Sequence, residues 1–313
     1  MKLLITGGFG YLGGRLAHSL ASGSGHEILL GSRQNLEPPE WLPIAGVVQT
    51  CWDSPNELDG ICAGADAIVH LAGMNAKDCA VDPVAALEMN GLATARLLRA
   101  AIRQGVKRII LMSTAHVYCQ PLSGVITEQT CPRNLHPYAT SCRAGEDVVM
   151  AAAASGDIEG IVIRLSNAFG APIHEDANCW SLLVNDLCRQ AVTTRRMSMR
   201  SSGLQRRDFV TMHDVVRAVS HLLDLPEASG DIFNVGGGWA PMVIEMAELI
   251  QSRCADIFHF TPEIVRPAAN SREASLALNY SIDKLAAIGF VLNGDHVAEI
   301  DDILHFCRKR FVA

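Results

Sequence analysis

The stretch MKLLITGGFGYLGGRLAHSLAS, residues 1–22, decides how the rest of the chain is read. Residues 2–6 (KLLIT) are a short apolar run ended by glycines, the pattern of a buried strand. From Tyr11 onward the spacing changes, and Leu12, Leu16 and Leu20 fall on one helical face. Between strand and helix stand Gly7, Gly10 and Gly13, spaced G-x-x-G-x-x-G. Any Cβ in such a turn blocks the close approach of the backbone to a pyrophosphate. The helix start at Tyr11, Leu12 and Gly13 then offers that anion unpaired N–H groups and the positive end of the helix dipole. Strand, turn and helix in this order, opening the chain, predict a dinucleotide-binding unit.

The alternation continues outward. HEILLGS (26–32), GVVQTCWD (46–53), ADAIVHLAG (65–73), VKRIILMST (106–114) and IEGIVIRLSNAFG (158–170) read as further strands. Helical patterns lie between them, the longest being AVDPVAALEMNGLATARLLRAAIRQG. Strands spaced by helices imply an α/β fold, a Rossmann-type doubly wound parallel sheet. The second half is less regular. CWSLLVNDLCRQAV, MHDVVRAVSHLLDLP and APMVIEMAELIQSRC are helical, SIDKLAAIGF is a helix and turn, and MSMRSSG and DIFNVGGG are strand candidates. No linker divides the halves. The expected organisation is a dinucleotide-binding domain over 1–170, with the segment 205–238 returning to it. Residues 171–313 then form most of a small interwoven C-terminal substrate lobe.

Composition narrows the function. Hydrophobic residues make up 49% and charged residues 19% of 313, a globular profile. The net charge of -7 shows no basic stripe, so a nucleic-acid partner is not expected. Ten cysteines include no C-x-x-C pair, which fits neither a zinc site nor a disulfide framework. The opening residues are strand and turn and not a signal peptide, and no apolar run approaches the ~18 residues of a membrane span. The expectation is a soluble, cytoplasmic protein with reduced thiols, no metal and no membrane partner.

The second strand ends Gly31–Ser32–Arg33, without the carboxylate that usually receives an NAD ribose. Arg33 is either a solvated loop residue or a guanidinium paired with a 2′-phosphate. The second choice predicts NADP as cofactor, with NAD as the alternative.

Taken in order, TGGFGYLG, HLAG, STAHVY, PYATS and RRDF resemble the extended short-chain dehydrogenase/reductase family. The match is to its nucleotide-sugar epimerase, dehydratase and ketoreductase branch, and it runs over nearly the whole chain. The resemblance implies that Asp53 contacts the adenine and that His70 to Gly73 (with Leu71, Ala72 and Gly73 nearest) pass the cofactor phosphates and ribose. It implies that Asn90 braces the active-site backbone, although a simple buried hydrogen-bonding role fits equally. Thr114 and Tyr138 fall on the family's catalytic hydroxyl and catalytic tyrosine. Asn167, Arg207 and, less closely, Arg266 fall on residues that contact the nucleotide diphosphate. The partner implied is a nucleotide-diphosphate sugar, and the assembly implied is a homodimer.

Two positions depart from the family. Its 4,6-dehydratases carry Asp–Glu after the catalytic hydroxyl, and this chain has Ala115–His116. If the backbone stays extended, His116 shares a face with Thr114 and can serve as acid or base, or it is structural. Four residues after Tyr138 the family has a lysine, and this chain has Cys142. A free phenol titrates near pH 10. An ammonium at ~4 Å stabilises the phenolate by roughly 4 kcal/mol at an effective dielectric of 20. Losing it harms a tyrosine used as a base more than one used as an acid. The favoured reading is therefore a 4-ketoreductase. The alternatives are an epimerase (or variant dehydratase) and a noncatalytic nucleotide-sugar binder.

Overall fold

The computed structural model describes residues 1–225, 228–269 and 276–312. In chain order the elements are β1 (Lys2–Thr6), α1 (Tyr11–Ser24), β2 (Glu27–Ser32), β3 (Gly46–Gln49), α2 (Pro55–Cys62), β4 (Ala67–His70), α3 (Ala76–Val81) and α4 (Pro83–Ala86). A π-helical stretch Leu87–Leu92 leads into α5 (Ala93–Arg103), β5 (Arg108–Thr114), β6 (Gly124–Ile126), α6 (Pro137–Ala154), β7 (Glu159–Leu165) and β8 (Asn167–Phe169). Then come α7 (Leu183–Thr194), β9 (Arg196–Ser198), β10 (Phe209–Thr211), α8 (Met212–Asp224), β11 (Asp231–Val235) and α9 (Val243–Phe258). The chain closes with β12 (Glu263–Val265), β13 (Leu278–Tyr280), α10 (Asp283–Ala287) and α11 (His296–Phe311).

Seven strands form one sheet in the order β11-β7-β5-β4-β1-β2-β3, parallel from β3 through β7. The order runs outward in both directions from β1, so β1 and β4 flank the switch point. Ligands of open α/β sheets bind in the crevice beyond such strand ends. The strands are nearly continuous apolar runs because helices cover both faces. Leu4, Ile68, Ile109 and Val162 on one face pack with Leu58, Leu97, Leu98 and Val149 of the helices.

The chain divides into two compact units. The first comprises Met1–Gln120, Cys131–Leu165 and Ala218–Asn234. The second comprises Pro121–Thr130, Ser166–Arg217 and Val235–Ala313, with small parallel pairs β8–β10, β9–β12 and β6–β13. Its core joins Val184, Leu187, Met197, Phe209, Met246, Ile250, Ile300 and Leu304.

The helix expected over residues 80–105 is broken. Asp82 caps a new start by accepting from the N–H groups of Val84 and Ala85 at 3.1 and 2.9 Å, and Pro83 takes the first helical position. The wide turn over Leu87–Leu92 buries Asn90 and Gly91. Sequence reading missed α11, although Val297, Ile300, Leu304 and Cys307 carry helical spacing and Asp295 caps it. Pro226, expected to close α8, lies outside the described residues. No helix among the described residues is long and apolar enough to cross a membrane.

Candidate active site

The glycine turn is built as a cradle. Gly7 has φ +68°, and a Cβ there would sit 3.0 Å from the Ala72 nitrogen. A Cβ on Gly10 would meet the Gly7 carbonyl at 3.0 Å, and one on Gly13 would collide with that same carbonyl. A side chain is therefore excluded at each of these three positions. No side chain caps α1, and its first turn holds no acid, so the helix keeps its positive end without a local carboxylate. That end fits a pyrophosphate.

At the end of β2, Ser32 Oγ accepts from the Gln34 N–H at 3.1 Å. Arg33 is exposed, and its carbonyl accepts from Gln49 Nε2 at 3.1 Å. Asp53 is exposed and ion-paired with Arg96. The structure thus puts a competing cation on the carboxylate expected at the adenine. The Phe9 and Trp41 rings meet edge to face at 6.3 Å beside the turn.

The loop after β4 is held by Asn90. Its Oδ1 accepts from the Met74 N–H at 2.7 Å, and its Nδ2 donates to Ser141 Oγ at 2.9 Å. A Cβ on Gly73 would meet Asn90 Oδ1 at 3.1 Å, so Leu71, Ala72 and Gly73 run close against this bracket.

Thr114 ends β5, buried, and Tyr138 stands in the first turn of α6. His136 caps that helix, its Nδ1 accepting from the Tyr138 N–H at 3.2 Å. The extended path expected past Thr114 is not followed. Thr114 Oγ1 accepts from the His116 N–H at 3.2 Å and starts a single tight turn, Ala115–Val117. That turn still brings the His116 ring to 6.4 Å from the Tyr138 ring, edge to face. Thr114, His116 and Tyr138 are therefore neighbours, although His116 gets there by a turn and not by the extended path.

Cys142 lies one turn beyond Tyr138. Burial pushes the phenol well above its ordinary value, the neighbouring thiol adds to this, and the Thr114 hydroxyl opposes it. Burial raises the Cys142 thiol as well, with Glu146 contributing next. Sequence reading missed the layer below. Glu146, a further turn down α6, accepts from Ser113 Oγ at 2.5 Å and pairs with Arg164 at 2.6 Å, all three buried. The Arg164 guanidinium lies 4.7 Å over the Tyr118 ring. The signal was present as charges inside apolar strand and helix faces, which must be paired if buried.

In the second unit Asn167 Nδ2 donates to the Asp208 carbonyl at 2.9 Å, tying β8 to β10. Asp208 is buried and braces the glycine loop, accepting from Ser166 Oγ at 2.5 Å and the Gly237 N–H at 3.0 Å. Burial raises its carboxyl to about 6 against the opposing pull of those donors. Arg207 next to it is half-buried, and its guanidinium has no anionic partner among the described residues. Burial alone lowers its affinity for the proton. Arg266 is exposed and donates from Nη1 to the Ser202 carbonyl at 2.5 Å.

A switch-point glycine cradle together with a Thr–Tyr pair marks an extended short-chain dehydrogenase/reductase. The family model described as the NAD dependent epimerase/dehydratase family matches residues 3–236, and the chain belongs to that family. Among curated relatives, a dTDP-glucose 4,6-dehydratase of Streptomyces niveus is 26% identical over 299 residues, covering 90% of this chain and 84% of that protein. An uncharacterized UDP-glucose epimerase, YtcB of Bacillus subtilis (strain 168), is 24% identical, covering 87% of this chain and 88% of its own length. Among solved structures, MoeE5 in complex with UDP-glucuronic acid and NAD superposes with a TM-score of 0.83 at 24% identity over 99% of both chains. RMD from Pseudomonas aeruginosa, complexed with NADPH, gives 0.79 at 23% identity, over 99% of this chain and 100% of that one.

Proposed function

We propose that the protein is an NADPH-dependent reductase of keto groups on nucleotide-diphosphate sugars, a 4-ketoreductase. The observation that carries this is the state of Tyr138. Burial pushes its phenol up, the Thr114 hydroxyl is its hydrogen-bond neighbour, and a thiol stands where the family has an ammonium. Such a group carries its proton near neutral pH, so it can give one to a developing alkoxide, although as a weaker acid than a free phenol, and it does not serve as a base. Reduction needs an acid at the carbonyl oxygen, whereas oxidation needs a base at the hydroxyl.

In this reading Gly7, Gly10 and Gly13 with the N–H groups of Tyr11 and Leu12 bind the pyrophosphate. Ser32 and Arg33 take the 2′-phosphate, Asp53 with Arg96 flanks the adenine, and Leu71, Ala72 and Gly73 line the path to the nicotinamide. When bound, the nicotinamide supplies the hydride. Arg207 clamps the sugar-nucleotide diphosphate with its two-pronged guanidinium, assisted by Asn167 and Arg266. Thr114 donates to the keto oxygen and Tyr138 delivers the proton to it. His116, beside the phenol, returns a proton to Tyr138 from solvent. The Ala115–His116 pair in place of two carboxylates argues against ordinary dehydration. Relatives named as epimerases support a second reading, transient oxidation and epimerisation.

Two incubations separate the readings. NADPH with a panel of 4-keto sugar nucleotides should lose its reduced-nicotinamide absorbance. An epimerase instead converts saturated sugar nucleotides with catalytic oxidised cofactor, and a binder leaves both mixtures unchanged.

A further inference from the structure

Polar side chains are scarce in the sheet core of the first unit, yet Thr6, His70, Thr94, Asn90 and Ser141 meet there, all buried. Thr6 ends β1 and is paired in register with His70 at the end of β4. Thr6 Oγ1 accepts from the N–H groups of Leu71 and Ala72 at 3.2 and 3.3 Å. Its own proton is then free to go to His70 Nδ1, 2.6 Å away. That makes Nδ1 an acceptor and leaves the ring proton on Nε2, which lies 3.1 Å from Thr94 Oγ1. Thr94 in turn donates to the Asn90 carbonyl at 2.8 Å. Asn90 holds Ser141 through Nδ2, and Ser141 Oγ donates to the Tyr138 carbonyl at 3.1 Å. Every link has one donor and one acceptor, and the directions agree along the whole thread. The Trp52 ring packs 5.7 Å from the imidazole.

We infer that His70 is a positioning residue. Fixed as the neutral Nε2–H tautomer, it ties the strand end carrying the glycine turn to Asn90, and through Asn90 and Ser141 to the helical turn holding Tyr138. The ordinary family tie between tyrosine and cofactor is a lysine, which this chain lacks. The thread supplies a hydrogen-bonded connection from the dinucleotide side to the tyrosine backbone. The inference rests on the reading of Tyr138 as the proton donor.

The test contrasts variants that keep or remove one link. His70→Leu breaks both ring bonds, while His70→Gln keeps a donor toward Thr94. Thr94→Val and Thr94→Ser make the same contrast without touching the ring, should His70→Leu fail to fold. The expected result is a kcat lowered about 10- to 100-fold in His70→Leu and Thr94→Val. KM should stay within about threefold, and Thr94→Ser should be restored to near wild type. Equal losses in the valine and serine variants, or none in either, overturn the inference. Two readouts need no turnover. Ring nitrogen shifts of wild-type His70 should show a protonated Nε2 that does not titrate over about pH 5 to 8, and an Nδ1–H ring contradicts the thread. Amide exchange at residues 138–142 should quicken in Thr94→Val and not in Thr94→Ser. Spectra and exchange as expected in a protein without turnover would sink the reductase reading and leave the thread standing. Turnover by wild type with the opposite tautomer would do the reverse.

Discussion

At the scale of single residues the chemistry turns on one exchange, a thiol at Cys142 for an ammonium. Substituting Cys142→Lys places a cation between Tyr138 and Glu146 on one face of α6. The proposed direction predicts that this variant shifts the pH profile, so that alcohol oxidation rises at least about one pH unit lower than in wild type, because only the base form of tyrosine profits from the charge. Rates in both directions across pH, measured on one sugar nucleotide, check it. A second residue-scale outcome concerns acid stability. Burial holds His70 at about 4, below the 6.5 of the unfolded chain. The unfolded state therefore binds the extra proton between those values, so the stability from keeping this ring neutral is complete above about 6.5 and drains as pH falls toward 4. The loss is up to about 3 kcal/mol. Denaturant melts from pH 7 to about pH 4 should show it, and His70→Gln should flatten that slope. Arg33 gives a third outcome. NADPH should bind about 10- to 100-fold tighter than NADH, and Arg33→Ala should abolish the difference in titration calorimetry. Motif residues such as Thr114, Tyr138 and Gly7 were legible because their spacing carries the chemistry. Glu146, Arg164 and Thr94 were not, because the partners that give them their roles lie 18 to 33 residues away along the chain and meet them only after folding.

At the scale of elements, helix α6 meets the π-helical turn through missing side chains. A Cβ on Gly145 would lie 2.6 Å from the Asn90 carbonyl, and one on Gly91 3.3 Å from Ala144 Cβ. An exposed mid-helix glycine changed to alanine gains about 1 kcal/mol. Gly145→Ala should instead cost about 1–3 kcal/mol by pushing Asn90 off Met74 and Ser141. Equilibrium unfolding with an unchanged m value is the measurement, and a stabilised variant would refute the close packing. The alternating strands were readable from apolar runs alone. The broken helix was not, because a 3.6-residue pattern continues through Asp82–Pro83 and nothing in the periodicity marks a wide turn. The small strand pairs of the second unit are three residues each and join distant segments, so no local pattern announces them.

At the scale of the whole molecule, all ten cysteines are unpaired, and only Cys131 is exposed. A thiol-colour reagent should find one fast site on the native protein, removed by Cys131→Ser, and ten after unfolding. Two or more missing thiols in the unfolded count would reveal a disulfide. The fold otherwise offers a dinucleotide cradle in one compact unit and, in the other, a half-buried arginine with no anionic partner among the described residues. The claim joining them is that Tyr138 gives up its proton to a keto sugar without a lysine beside it. The direct measurement is NADPH consumption with a nucleotide-diphosphate 4-keto sugar, wild type against Tyr138→Phe, from about pH 6 to 9. The account predicts turnover by wild type with no loss toward the alkaline end, since the phenol stays protonated throughout, and a fall of about 100-fold or more in the variant. Consumption no faster in wild type than in Tyr138→Phe would contradict it.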